Sequence, residues 1–287
     1  MTNNIDASKN NAGNLEDYDF LVFSFNQSSS LPLGVQLGGK KGIGFEPNSE
    51  KFNELKKEID TNKFLGRHKL ININPLQIKI NENNTRRFKF TTCSHFIENL
   101  AGINETKLAI YNAIRMSSDF VFISQPNFDS DVTLFKNGFK TNFSDWTVHT
   151  NHLTSNILFN ILFDYYKMGY IEDFLIFYSS PIKNSNDPVI HPLNSPGNQT
   201  EFNIDSHPFK RENVKFKNIY KNLNVIITVK GCKKIDELYE MISDEKNVLY
   251  DSRQGIYDNS REELIEPDDD DRRSIFGKMN EFLNSDV

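Results

Sequence analysis

Short apolar runs alternate with amphipathic, capped segments from Phe20 to Ser124, and this rhythm leaves few folds open to the chain. Phe20–Phe25, Gly42–Phe45, Lys69–Ile73, Phe88–Cys93 and Asp119–Ser124 read as strands. Runs this short and this apolar suit strands buried on both faces of a parallel sheet. Between them, Leu31–Leu37 opens with Pro32, tolerated in a first helical turn, and stops at Gly38-Gly39. A second helix runs from a cap at Asn48 or Ser49 to about Ile59, His95–Leu100 forms an amphipathic turn, and Thr106–Met116 is a third helix. Strands separated by helices predict an α/β fold, with a mostly parallel sheet covered by helices on both faces.

The rest of the chain extends this plan. Thr154–Lys167 reads as a helix, Phe174–Tyr178 and Val225–Val229 as strands, and Lys234–Ser243 as a helix. Pro181–Phe216 holds Pro181, Pro188, Pro192, Pro196 and Pro208 and is expected to be an irregular insertion. Residues 1–14 read as a disordered lead-in, 15–232 as one domain, and 233–287 as a helical and acidic tail. That tail carries the run Glu266–Asp271 and an amphipathic stretch at Ser274–Leu283.

Charge and composition remove several classes. A net charge of −6 gives no general positive field, so nucleic acid is disfavoured as a partner. No apolar stretch reaches the ~20 residues of a membrane span, and Met1–Asn14 has no apolar core for a secretion signal. Two cysteines, Cys93 and Cys232, make no disulfide framework and point to a reducing compartment, hence a cytoplasmic protein.

Three stretches carry a resemblance. They are Val35-Gln36-Leu37-Gly38-Gly39-Lys40-Lys41-Gly42-Ile43-Gly44-Phe45-Glu46-Pro47, then Phe88–Leu100, then the helix at Thr106–Met116 with Phe120–Asn127 after it. In this order and spacing they resemble class I S-adenosylmethionine (SAM)-dependent methyltransferases, over roughly Leu15–Val229. The resemblance implies a Rossmann-like, mostly parallel sheet with an antiparallel edge strand, and SAM as cofactor at the strand ends. It places Glu46 as the carboxylate receiving both ribose hydroxyls. The family's three turn glycines fall on Ser24, Asn26 and Ser28, the adenine-side acid falls near Asn74, and Ser94 and His95 lie beside the cofactor. Val22 stands where the family's first strand often carries an acid. Glycine supplies positive φ in such a turn, which Asn tolerates better than most residues.

The densest polar-aromatic cluster is Ser144–His152, between the fifth strand and the next helix. By the resemblance this region covers the substrate, with Asp145, His149 and His152 as candidates to deprotonate an acceptor. Trp146 is either a flat surface for that acceptor or a core plug. A metal on Asp145, His149 and His152 is set aside, since no further ligand is identifiable. The expected function is methylation of a small polar acceptor, a sugar or glycan precursor being the class implied, on oxygen rather than nitrogen; homo-oligomer formation is compatible. The rival is a non-catalytic relative acting as a partner or scaffold subunit. A nucleotide-dependent oxidoreductase is disfavoured, because no Gly-x-Gly-x-x-Gly follows the first strand.

Overall fold

The computed structural model describes residues 17–24, 30–61, 68–78, 85–145, 149–197, 199, 202–229, 231–242 and 245–256. The first half runs β1 (Phe20–Phe23), α1 (Ser30–Gln36), β2 (Gly42–Phe45), α2 (Ser49–Thr61), β3 (Lys69–Ile71), β4 (Phe88–Ser94), α3 (Ile103–Met116) and β5 (Ser117–Pro126). After it come α4 (Asp131–Lys136), β6 (Phe139–Thr141), α5 (Ser155–Lys167), β7 (Asp173–Pro181), β8 (Ile190–Pro192) and β9 (Tyr220–Thr228). The described part closes with α6 (Ile235–Glu240), β10 (Lys246–Asp251) and β11 (Gly255–Ile256).

Nine strands form one sheet in the order β11-β10-β7-β9-β5-β4-β1-β2-β3. β3, β2, β1, β4 and β5 are mutually parallel, and β9 runs antiparallel between β5 and β7. This is the expected mostly parallel, Rossmann-like sheet with an antiparallel edge region.

Alternation along each strand divides the core in two. Leu21 and Phe23 of β1 join Val121 and Ile123 of β5 in one cluster, against Ala109, Ile110 and Ala113 of α3 and Leu158, Ile161 and Leu162 of α5. Phe20, Val22, Phe120 and Phe122 point the other way, against Leu31 of α1, Leu55 of α2, and Ile235 and Leu238 of α6. Helices therefore cover both faces, which is why the strands carry no polar stripe. Removing each of the larger side chains, Val, Leu, Ile or Phe, from water is worth about 1.5–3 kcal/mol.

Across the second face three rings stack in register. Phe90 lies 5.2 Å from Phe20 and 4.6 Å from Phe120, with interplanar angles of 3° and 8°. The Phe20 ring fills space that other residues must leave empty. A Cβ built on Gly34, Gly39 or Gly42 would lie 2.2, 2.3 or 2.4 Å from it. Gly38 has φ +90° and ends the α1 turn, as expected from the Gly38-Gly39 stop. Asn48 caps α2 by accepting from the Glu50 and Lys51 amides, and Thr154 caps α5 by accepting from Ile157.

Two regions depart from expectation. The described part of the Pro181–Phe216 insertion packs on a unit the sequence pattern missed: β8 pairs with β6 in a separate two-stranded sheet. Leu134, Phe139, Ile182, Ile190 and Ile219 form a third core beneath it. Strands of three residues show too little periodicity to stand out. Within the segment expected as a helical, acidic tail, β10 pairs antiparallel with β7 and β11 with β10. β10 is half-buried along most of its length, so its apolar signal is weak. Residues 1–14, the acidic run Glu266–Asp271 and Ser274–Leu283 lie outside the described residues.

Candidate functional site

β1 lies between β2 and β4, so the connections from β1 and from β4 leave the sheet in opposite directions along the strand order. A ligand crevice opens at such a switch point, beyond the carboxyl ends of the strands. Two residues there hold left-handed backbone without being glycine. Ser24, directly after β1, has φ 62°, and His95, directly after β4, has φ 50°. These strands are hydrogen-bonded neighbours, with Phe23 opposite Cys93. Left-handed backbone at a residue with a Cβ persists only where its surroundings enforce it, and such residues gather at ligand sites. The Ser30 hydroxyl donates to the Ser24 carbonyl at 3.3 Å, and the His95 amide donates to the Ser124 carbonyl at 2.9 Å. Ser24 thus has the conformation that a turn glycine would supply. Asn26 and Ser28 lie outside the described residues.

Glu46 follows β2 immediately and is 3% exposed. Its Oε1 accepts from the Asn48 amide at 2.9 Å, and its Oε2 lies 3.2 Å from Lys51 Nζ. A carboxylate offers about four lone-pair sites, so acceptor capacity is left on both oxygens. Asn72 ties β3 to this end of β2, donating through Nδ2 to the Glu46 carbonyl at 2.8 Å. Asn74 accepts through Oδ1 from the Leu76 amide, capping a short 3₁₀ turn at Pro75–Gln77. Ser94, the last residue of β4, is buried.

Beside the end of β4 sits a group that the sequence pattern did not single out. Glu98 is completely buried in a 3₁₀ turn at Ile97–Asn99, and its Oε1 lies 3.1 Å from His95 Nδ1. Its Oε2 has no hydrogen-bond partner among the described residues. The hydrogen bond to Glu98 raises the His95 pKa above its ordinary value, against the lowering effect of burial. The segment 149–151 laces onto this turn. His149 Nδ1 lies 3.1 Å from Asn99 Oδ1, Thr150 donates to the Leu100 carbonyl, and Asn151 Nδ2 bonds the Ile97 carbonyl and Thr106 Oγ1. His95 and Glu98 are three residues apart on one turn, a spacing that could have marked the pair.

Two of the base candidates, His149 and His152, fall beside Phe128, just past β5. His152 stacks on the Phe128 ring at 4.2 Å, and the His149 ring lies 6.4 Å from it. Burial lowers the pKa of both histidines, with Glu98 opposing the shift at His149 and His149 adding to it at His152. Asp145 packs on the insertion, where a Cβ on Gly197 would meet its Oδ2 at 2.2 Å. Of the three, His149 is brought into contact with the turn carrying Glu98, and Asp145 packs on the insertion. Trp146 lies outside the described residues. Cys93 is fully buried, which pushes its thiol pKa up and leaves it a core residue rather than a nucleophile. Among the described residues no three His, Cys, Asp or Glu side chains are placed to hold a metal ion.

A cavity of about 350 Å³ lies between α4, β6 and the insertion, and is lined by Asp131, Val132, Phe135, Phe139, Lys140, Ser144 and Leu193. Asp131 accepts from Ser144 at 2.5 Å, and burial raises its pKa.

No family model and no curated protein matches the chain. Among solved structures it is similar to a SAM-dependent methyltransferase from Methanosarcina mazei, at 13% identity over 76% of this chain and 94% of that one, with a TM-score of 0.46. It is similar to the YcgJ protein of Bacillus subtilis, at 10% identity over 74% and 92% with a TM-score of 0.47. A third is magnesium protoporphyrin IX methyltransferase from Synechocystis, at 11% identity over 76% of each chain with a TM-score of 0.40. The strand order and register, rather than any of these pairs, define the fold.

Proposed function

We propose that this chain is a SAM-dependent methyltransferase acting on a small polar acceptor, a sugar or glycan precursor, with oxygen as the favoured target atom. One observation carries the reading. Ser24 and His95 both hold left-handed backbone at the ends of adjacent parallel strands, with Glu46 at the end of the next. The first of these supplies the turn conformation that a cofactor loop needs despite the missing glycine.

When bound, the cofactor supplies an electrophilic methyl group on a sulfonium. The chain's own task is to hold, align and manage one proton. Ser24, with Asn26 and Ser28, would line the turn; Glu46 would accept from the ribose hydroxyls with its remaining lone pairs. Asn74, Ser94 and His95 would complete the binding wall. His95 Nδ1 faces Glu98, which leaves Nε2 to take a proton from an acceptor hydroxyl, with His149 beside the same turn. Asp145 and His152 remain base candidates on the acceptor side. The reading takes 15–232 as the catalytic unit of a cytoplasmic protein, alone or as a homo-oligomer.

A specific feature favours the rival, a non-catalytic partner or scaffold subunit. Glu46 is buried and already ion-paired with Lys51. Calorimetry with S-adenosylhomocysteine separates the two readings. Binding by the full chain is expected, with Glu46→Ala weakening it. Hydrogen bonds to a charged group are worth about 1.5–3 kcal/mol, so the loss is roughly tenfold or more. No binding, and no rise of the thermal midpoint with SAM, leaves the scaffold reading standing.

A further inference from the structure

The cavity between α4, β6 and the insertion has a volume of about 350 Å³, and small-molecule sites span about 300–1,000 Å³. Its lining joins an apolar wall to one charge of each sign. Phe139 is buried and belongs to the third core, while Val132, Phe135 and Leu193 are exposed. Asp131, which starts α4, and Lys140, in the middle of β6, stand among them.

The two charges do not meet. Among the described residues neither Asp131 nor Lys140 forms an ion pair, with the other or with any third group. Neutral groups hold each in place. Asp131 Oδ1 accepts from the Ser144 hydroxyl at 2.5 Å, and that hydroxyl oxygen lies 2.5 Å from Thr141 Oγ1. Lys140 Nζ donates to the Ser195 carbonyl at 2.9 Å. A carboxylate has about four lone-pair sites and an ammonium three donors, so both heads keep capacity for a ligand. Burial raises the Asp131 pKa, with the Ser144 hydrogen bond opposing the shift and the Asp129 charge adding to it. A half-buried carboxylate without a cation is a costly arrangement that a bound cation relieves.

A simple cation in this cavity would face Lys140, and a simple anion would face Asp131. A ligand carrying both signs answers both heads and brings no net charge. The apolar wall calls for an apolar body beside that charged head. We propose that this cavity binds an apolar α-amino acid, its ammonium on Asp131, its carboxylate on Lys140, and its side chain against Phe135, Phe139, Val132 and Leu193. The inference stands apart from the cofactor reading and needs no bound SAM.

Calorimetry of the full chain with L-phenylalanine tests it, and saturable binding is expected. N-acetyl-L-phenylalanine has no ammonium and L-phenylalaninamide no carboxylate. Each is expected to bind about tenfold more weakly, the worth of one charged hydrogen bond. Glycine, which lacks the apolar body, is expected to bind more weakly than either. Asp131→Asn should erase the discrimination against the acetylated ligand, and Lys140→Gln the discrimination against the amide, each leaving the other intact. A merely structural effect of either substitution would weaken all the ligands alike, and that result overturns the proposal. Phe135→Ala should weaken phenylalanine binding several-fold at an unchanged thermal midpoint, because this side chain is already 66% exposed. Absence of phenylalanine binding overturns the proposal. So do equal affinities for phenylalanine and its two derivatives, or affinities unmoved by Asp131→Asn and Lys140→Gln.

Discussion

His95 Nδ1 lies 3.1 Å from Oε1 of Glu98, a carboxylate with no solvent exposure. The pair raises the proton affinity of His95 in the folded state. Its contribution to stability is therefore present below the ordinary histidine value of 6.5, and is lost as pH rises through the folded value. Glu98→Gln is expected to lower the His95 pKa, read by titrating its ring protons in NMR spectra. An unmoved titration would separate the two side chains in solution.

Ser24 adopts a backbone region that disfavours any side chain by about 1–2 kcal/mol. Ser24→Gly is expected to gain up to about 1 kcal/mol in urea unfolding, offset by the larger entropy of the unfolded glycine. Ser24→Val is expected to destabilise, because a β-branched residue fits this region worst. A Gly variant less stable than the parent would mean the turn is not left-handed.

The space around Phe20 gives a paired prediction. Gly34→Ala and Gly42→Ala place a methyl group 2.2 and 2.4 Å from the Phe20 ring, so each should destabilise by about 1–3 kcal/mol. Phe20→Leu combined with Gly34→Ala should cost less than the sum of the separate changes. A double-mutant cycle in denaturant measures this coupling.

His191 titrates with the opposite sign to His95. Burial and the His207 ring 4.7 Å away push its pKa down to about 4. The unfolded chain binds that proton first, so stability should fall as pH drops from 6.5 toward 4. Thermal midpoints across this range should fall less in His191→Phe than in the parent.

Much of the first half was legible in the sequence because its signals are local. Gly42–Phe45 is a strand with the expected bounds, and Asn48 and Thr154 cap the helices expected of them. Glu46 and Ser24 could be placed by spacing because a strand end and a tight turn fix where a residue must lie. The three-residue spacing of His95 and Glu98 marks neighbours on one turn, but the pair escaped because spacing does not say that the glutamate is buried. The layer of α4, β6 and β8 escaped for a different reason: its stability comes from Phe139, Ile190 and Ile219 meeting across distant segments. Short elements held by long-range contact leave little local periodicity to read.

Among the described residues the nine-stranded sheet has short border strands, with three residues in β3 and two in β11. Short borders offer little template for another chain to add a strand. Arg253 clamps one of these borders, reaching Asp251 in β10 and Asp236 in α6. Cutting the chain ahead of Lys246 would bare β7, whose Phe174–Phe177 run is fully apolar and nine residues long with its flanks. Such a truncated protein should polymerise through that naked margin, visible as light scattering at concentrations where the intact chain stays clear.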